Sequence, residues 1–285
     1  MAVKIIECPR DAMQGIHDFI PTTDKIRYLN ALLKAGFDTL DFGSFVSPKA
    51  IPQMRDTAEV LAGLDLKNTD TKLLAIVANE KGADMACEHE EIQYLGFPFS
   101  ISETFQIRNT NSTIAEALVR VEYMQKRCEE TGKELVVYLS MGFGNPYGDD
   151  WNAAIVGRWV SRMADRGIKI LSLSDTVGVA TPESIKYLFS ELIPAYRDIE
   201  FGAHLHTTPH TWEPKIAAAY QAGCRRFDGA LKGYGGCPMA TDKLTGNMPT
   251  ENLLQYFRTV KEETGINADA FSDAMLIAGD IFQGH

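Results

Sequence analysis

Phe201-Gly202-Ala203-His204-Leu205-His206 is a short apolar run that ends in two histidines one residue apart. Read as a strand, it sends residues 204 and 206 to the same face, because strand side chains alternate. Working backwards, the helical pattern Pro182–Pro194 precedes it, opened by Thr181 as N-cap and Pro182 at the first helical position. Before that comes another apolar run, Ile168–Ser174. Strand, helix, strand is one βα repeat, and the rest of the chain repeats it.

The other strand candidates are Val3–Cys8, Thr39–Phe45, Lys72–Ala78, Glu91–Phe97, Leu135–Met141 and Arg226–Leu231, which makes eight in all. Several are apolar throughout, as strands covered on both faces are. Helical patterns lie between them at Asp24–Ala35, Thr113–Thr131, Asn152–Arg166 and Pro214–Ala222. Gly36, Gly132, Gly167 and Gly223 follow these helices as C-terminal stops. Eight β-then-α units in 285 residues predict an α/β protein, a (β/α)₈ TIM barrel, for which about 250 residues is typical. An open doubly wound sheet is the alternative, weakened because no GxGxxG follows the first strand. The expectation is a single catalytic domain over 1–285, with the barrel to about 250 and extra closing helices over about 250–285.

Composition narrows the function. Hydrophobic residues make up 45% and charged residues 23%, ordinary for a soluble globular chain. A net charge of −10 argues against nucleic acid and anionic membrane as partners. No run approaches the roughly 20 apolar residues of a membrane span. Five scattered cysteines with no CxxC pair, and a first strand that starts at once, predict reduced thiols and a cytoplasmic protein.

In a barrel of this kind the active site sits at the C-terminal ends of the strands. Asp11 follows strand one, Asp41 lies late in strand two and Asp175 follows strand six. His204 and His206 end strand seven, and Cys237 and Asn247 lie in the glycine-rich loop after strand eight. All fall on one rim. Asp11, His204, His206 and Asn247 offer two nitrogens and two oxygens. That set suits Mg²⁺ or Mn²⁺, with Co²⁺ or Zn²⁺ as further candidates. Each residue also has a plainer reading. The histidines could bond a helix, Asp11 could cap one, and Asn247 could fill a turn. Arg10 could stabilise an oxyanion or simply pair with Asp41, a charge inside an apolar strand that needs a partner. Asp175 could cap a loop, and Cys237 could be a bystander.

Together these stretches resemble 3-hydroxy-3-methylglutaryl-CoA lyase, within the DRE-TIM metallolyase superfamily. The similar segments are Pro9-Arg10-Asp11-Ala12-Met13-Gln14, Ser44-Phe45-Val46-Ser47-Pro48-Lys49 with Pro52-Gln53-Met54, Leu173-Ser174-Asp175-Thr176-Val177-Gly178, Ala203-His204-Leu205-His206, and Gly235-Gly236-Cys237-Pro238 with Gly246-Asn247. The resemblance implies a metal-dependent lyase that cleaves 3-hydroxy-3-methylglutaryl-CoA or a related hydroxy-acyl substrate to acetyl-CoA and a keto acid. It implies Asp11, His204, His206 and Asn247 as metal ligands and Arg10 as the enolate stabiliser. Asp41 stands where the family usually has glutamate, and Asp175 and Cys237 match positions implicated in proton transfer. The expected partner is a small-molecule substrate, a CoA thioester, with a homodimer as the assembly.

The chain departs from that pattern at Gly15-Ile16, at Thr207-Thr208-Pro209-His210 in place of an acidic, glycine-containing turn, and at Ser140–Asn145, which lacks the cysteines some lyases carry. Competing expectations are a CoA-free aldolase, an acyl-condensing synthase and a barrel that binds a ligand without turnover. A synthase usually carries a long C-terminal regulatory region, and only about 35 residues follow Thr250 here. A non-catalytic barrel has no need of Arg10, Asp175 and Cys237.

Overall fold

The computed structural model describes residues 2–236 and 245–282, so Cys237 lies outside the described residues. Eight strands form the centre: β1 Lys4–Glu7, β2 Thr39–Ser44, β3 Lys72–Ile76, β4 Ile92–Ser100, β5 Glu134–Ser140, β6 Ile170–Asp175, β7 Glu200–Leu205 and β8 Arg226–Gly229. They pair in parallel in chain order, and β8 pairs back onto β1 to close the barrel. The fold is the expected (β/α)₈ barrel.

Boundaries shift where local chemistry outweighs the apolar pattern. β1 stops at Glu7 because Pro9 opens a helix. β4 runs past Phe97 to Ser100, since Pro98 keeps register opposite Tyr138. Asp175 is the last residue of β6 rather than the first of a loop.

Helices coat the barrel: α1 Pro9–Gln14, α2 Thr22–Ala35, α3 Thr57–Ala62, α4 Glu80–Cys87, α5 Glu103–Thr110, α6 Ile114–Thr131, α7 Ala153–Ala164, α8 Pro182–Ala195 and α9 Trp212–Gln221. Their starts follow side-chain chemistry. Thr113 with Glu116 and Thr181 with Ser184 form reciprocal caps that satisfy the first free N–H groups. After β8 come α10 Thr250–Thr259 and α11 Ala268–Phe282. α11 rests on α2, with the Phe282 ring 6.0 Å from Tyr28 in an edge-on contact.

Inside the barrel, Leu74, Ile76, Tyr94, Val136, Tyr138 and Ile170 fill the space as a packed core. The floor is closed by the buried Arg226, whose Nη1 lies 3.6 Å from Glu200 and 3.9 Å from Asp38. Gly202 on β7 makes room for it: a Cβ there would lie 3.3 Å from Arg226 Cδ and 3.1 Å from Ser172 Oγ. The strands therefore present their chemistry at the other end.

Candidate active site and metal centre

The site begins where β1 turns into α1. Pro9 has a fixed φ and no N–H, which suits the first helical position. The sequence suggested a strand-to-helix turn here. A six-residue helix forms instead and sets Arg10 and Asp11 on the rim, both buried. Arg10 grips Asp41 from β2 with two nitrogens, Nη2 at 2.5 Å and Nε at 3.1 Å from Oδ2. Its Nη1 donates to Asp11 Oδ1 and to Gln14 Oε1, each at 2.9 Å. A planar guanidinium suits this forked arrangement. Burial pushes the Asp41 carboxyl pKa up to about 6, against the pull of Arg10.

Asp11 is satisfied on every side. Gln14 donates to Oδ1 at 2.5 Å and the Asn247 amide to Oδ2 at 2.8 Å. Burial alone would raise its pKa, but Arg10 above all, with His204, outweighs that and holds the carboxyl below its usual range. Asp11 is a fixed anion facing two imidazoles.

Those imidazoles come from the end of β7. His204 lies in the strand, and His206 just after it is held by a bridge to Asn247. Their ring centroids are 5.4 Å apart. One ligand atom from each of Asp11, His204 and His206 falls within 4.8 Å of the others. His204 Nδ1 is 3.0 Å from Asp228 Oδ2, which leaves Nε2 for a cation. Burial would lower the His204 pKa, and Asp228 outweighs it and raises it. Burial lowers His206 to about 3, helped by neighbouring His204, so this ring is neutral and can donate a lone pair. Two imidazoles and a carboxylate, with the Asn247 amide against Asp11, fit a hard or borderline divalent cation.

Asn247 is placed by the chain after β8. Its Nδ2 donates to the Tyr234 carbonyl and to Asp11 Oδ2, each at 2.8 Å, which fixes the amide beside the Asp11 carboxylate. Gly235 lets this segment lie flat on α1. Its φ is +89°, and a Cβ would sit 2.6 Å from the Asp11 carbonyl and 2.9 Å from Asn247 Nδ2.

Arg10, Asp11, Gln14, His204 and His206 line a cavity of about 140 Å³ at the strands' C-terminal ends. Val46, Ile51, Ile76, Pro98, Phe105 and Tyr138 supply its apolar lining, with polar Asn109, Thr110, Ser140, Ser174 and Thr176 among them, and the Tyr138 ring meets His204 edge-on at 5.7 Å.

A barrel with this rim has close relatives. Residues 2–276 match the HMGL-like family model. The chain belongs to the HMGL-like family. Hydroxymethylglutaryl-CoA lyase YngG of Bacillus subtilis is 31% identical over 93% of this chain and 88% of its own. The 3-hydroxy-3-isohexenylglutaryl-CoA/hydroxy-methylglutaryl-CoA lyase of Pseudomonas aeruginosa is 33% identical over 95% and 90%. Among solved structures, an HMG-CoA lyase from Acinetobacter baumannii in complex with coenzyme A and 3-methylmalate superimposes with a TM-score of 0.91 at 30% identity, covering 100% of this chain and 92% of that one. The carboxyl transferase domain of Rhizobium etli pyruvate carboxylase, at 15% identity and a TM-score of 0.71, shares the fold alone.

Within this HMGL-like frame, the structure brings Arg10, Asp11, Asp41, His204, His206 and Asn247 together. Asp175 is different. Both its oxygens are occupied, one by Lys215 at 2.6 Å and one by the Ala180 amide at 2.9 Å, and it does not line the cavity. Sequence reasoning passed over Asp228, Lys215 and Gln14. Asp228 sits in Arg226-Phe227-Asp228-Gly229, a charge in a buried strand. The same signal marked Asp41 and applies here equally. Lys215 heads the apolar run Ile216-Ala217-Ala218-Ala219 on α9.

Proposed function

We propose that this protein is a divalent-cation-dependent carbon–carbon lyase that cleaves 3-hydroxy-3-methylglutaryl-CoA, or a close hydroxy-acyl-CoA relative, to acetyl-CoA and a keto acid. The observation that carries this reading is the Asp11–His204–His206 cluster beside the Arg10 guanidinium at one cavity wall. The relatives named for this reaction, and the family they share with this chain, support it. Free thiols at Cys8, Cys87, Cys128 and Cys224 suit a cytoplasmic setting.

Asp11, His204, His206 and Asn247 would hold the cation, with Mg²⁺ or Mn²⁺ preferred for the mixed nitrogen and oxygen set. Bound there, it supplies a positive charge that polarises the substrate's oxygens. The chain's own residues do the rest. The apolar lining residues, Val46, Ile51, Ile76 and Phe105 among them, pack the acyl portion. As the tertiary hydroxyl proton passes to a basic group lining the cavity, Asp11 or His206, the hydroxyl oxygen becomes the keto carbonyl and the C2–C3 bond breaks, leaving its electron pair on the departing acetyl unit as an enolate. Arg10, held by Asp41 and permanently charged, stands ready to receive that charge without reorganising. Cys237, outside the described residues, is the proposed source of the proton that completes acetyl-CoA.

The deciding experiment is a turnover screen of metal-loaded protein against 3-hydroxy-3-methylglutaryl-CoA and CoA-free 4-hydroxy-2-keto acids. Acetyl-CoA release from the thioester supports the reading. Turnover of the CoA-free acids alone makes the protein an aldolase, and no turnover of either makes it a binding barrel.

A further inference from the structure

Lys215 and Asp175 form a buried pair behind the cavity. Lys215 is 2% exposed and Asp175 is 1% exposed. An ammonium has three N–H donors, and Lys215 uses all of them. It donates to Asp175 Oδ2 at 2.6 Å, to the His206 carbonyl at 2.9 Å and to the Gly178 carbonyl at 3.1 Å. Asp175 spends its other oxygen on the Ala180 N–H. One cation on α9 thus gathers the end of β6, the loop beyond it and the backbone of a candidate metal ligand.

Strand alternation explains why Asp175 is unavailable to substrate. Ser174 and Thr176 line the cavity, so the residue between them faces away, towards α9. Thr176 is itself tied down, its hydroxyl accepting from the Met141 N–H at 2.9 Å. Breaking one half of such a pair strands a buried charge, which makes it a stiff element.

We infer that Asp175 is a positioning residue acting through Lys215: the pair sets where His206 and the Thr176 loop stand, and Asp175 carries no proton in the reaction. The inference rests on the proposed lyase site for its consequences, while the clamp can be read without any metal.

Hydrogen exchange of the metal-free protein, followed by Mn²⁺ titration, tests it on Lys215→Met, Asp175→Asn and the pair Asp175→Asn/Lys215→Gln. Lys215→Met should speed exchange at least tenfold at residues 176–180 and 206–208, with β3 protected as before. Mn²⁺ affinity should fall about 10–100-fold, the range for losing support behind a ligand. Asp175→Asn should resemble it, and should serve in its place if Lys215→Met does not fold. The double variant should recover part of both losses, since amides keep a hydrogen bond without an unpaired charge. Unchanged exchange in both single variants would overturn the clamp. So would an Asp175→Asn protein with wild-type exchange and Mn²⁺ affinity but a collapsed kcat, which would make Asp175 a proton carrier. If the variants show the exchange pattern yet the wild type binds no Mn²⁺, the metal assignment fails and the clamp stands.

Discussion

Asp228 on β8 holds Nδ1 of His204 on β7 at 3.0 Å, with its own carboxylate 1% exposed. The two residues are register partners on adjacent strands. The contact fixes which ring nitrogen faces Asp11, because the proton it holds on Nδ1 leaves Nε2 with a lone pair. Asp228→Asn should therefore weaken Mn²⁺ binding by about 10–100-fold with little change in melting temperature. Isothermal titration measures it, and an unchanged affinity would show that His204 is oriented by packing alone.

Metal should be indispensable. A chelator should abolish turnover, and added Mg²⁺ or Mn²⁺ should restore it. His204→Ala and Asp11→Asn should each be isolated without bound metal. Elemental analysis finding full occupancy in both variants would remove these residues from the ligand set.

Arg10 should act on the chemical step more than on binding. Enolate charge appears only as the bond breaks, so its stabiliser works mainly in the transition state. Arg10→Met should cut kcat by on the order of 10²–10³ with KM little changed. It also strips Asp41 of its buried partner, so a drop in melting temperature should accompany it. A raised KM with kcat preserved would make Arg10 a substrate clamp.

Gly235→Ala should damage the site through the backbone. The added methyl meets the Asp11 carbonyl and the Asn247 amide, at a φ that non-glycine residues rarely adopt. Mn²⁺ affinity and turnover should both fall sharply while circular dichroism stays native. Retained metal affinity would mean that the loop relaxes at no cost to Asn247.

Glu7 gives stability a pH dependence. It is fully buried at the end of β1, accepting from the Leu231 N–H at 2.9 Å and the Thr250 hydroxyl at 2.5 Å. Burial pushes its pKa up from 4.5 to about 8, against those two hydrogen bonds. The folded state therefore binds this proton more tightly than the unfolded chain. The stabilisation is fully present below about pH 4.5 and is lost as pH rises through about 8. Denaturant melts of wild type and Glu7→Gln over pH 5 to 9 should show a shallower slope in the variant. Parallel slopes would assign the dependence elsewhere.

The turn after the histidines bears on substrate choice. The resemblance implies an acidic residue where Thr207 stands, and the Thr207 hydroxyl is buried without a hydrogen-bond partner among the described residues. Activity on 3-hydroxy-3-methylglutaryl-CoA should be modest, and Thr207→Asp should raise metal affinity. A kcat/KM near 10⁵ M⁻¹s⁻¹ or above for the wild type, with no better acyl-CoA in a panel, would show the turn to be neutral.

How much of this was legible in the chain depends on the range of the physics involved. Alternation of apolar runs and amphipathic stretches is local, and it sufficed for the eight repeats and their closure into a barrel. Since every strand of such a barrel ends at one rim, it also placed Asp11, His204 and Asn247 together although they lie far apart in sequence. A charge in an apolar strand marked Asp41, and reach from the next rim turn marked Arg10 as its partner. Which way a side chain at a strand's end points is another matter. Asp175 and His206 both stand at the ends of strands, yet one faces α9 and the other the cavity. That outcome turns on parity at the last residue and on a lysine 40 residues away, whose ammonium is buried only because three oxygens, one from the end of β6 and two from the chain after β6 and β7, close around it. Burial at such a point is a property of the packed whole, and only the tertiary structure decides it.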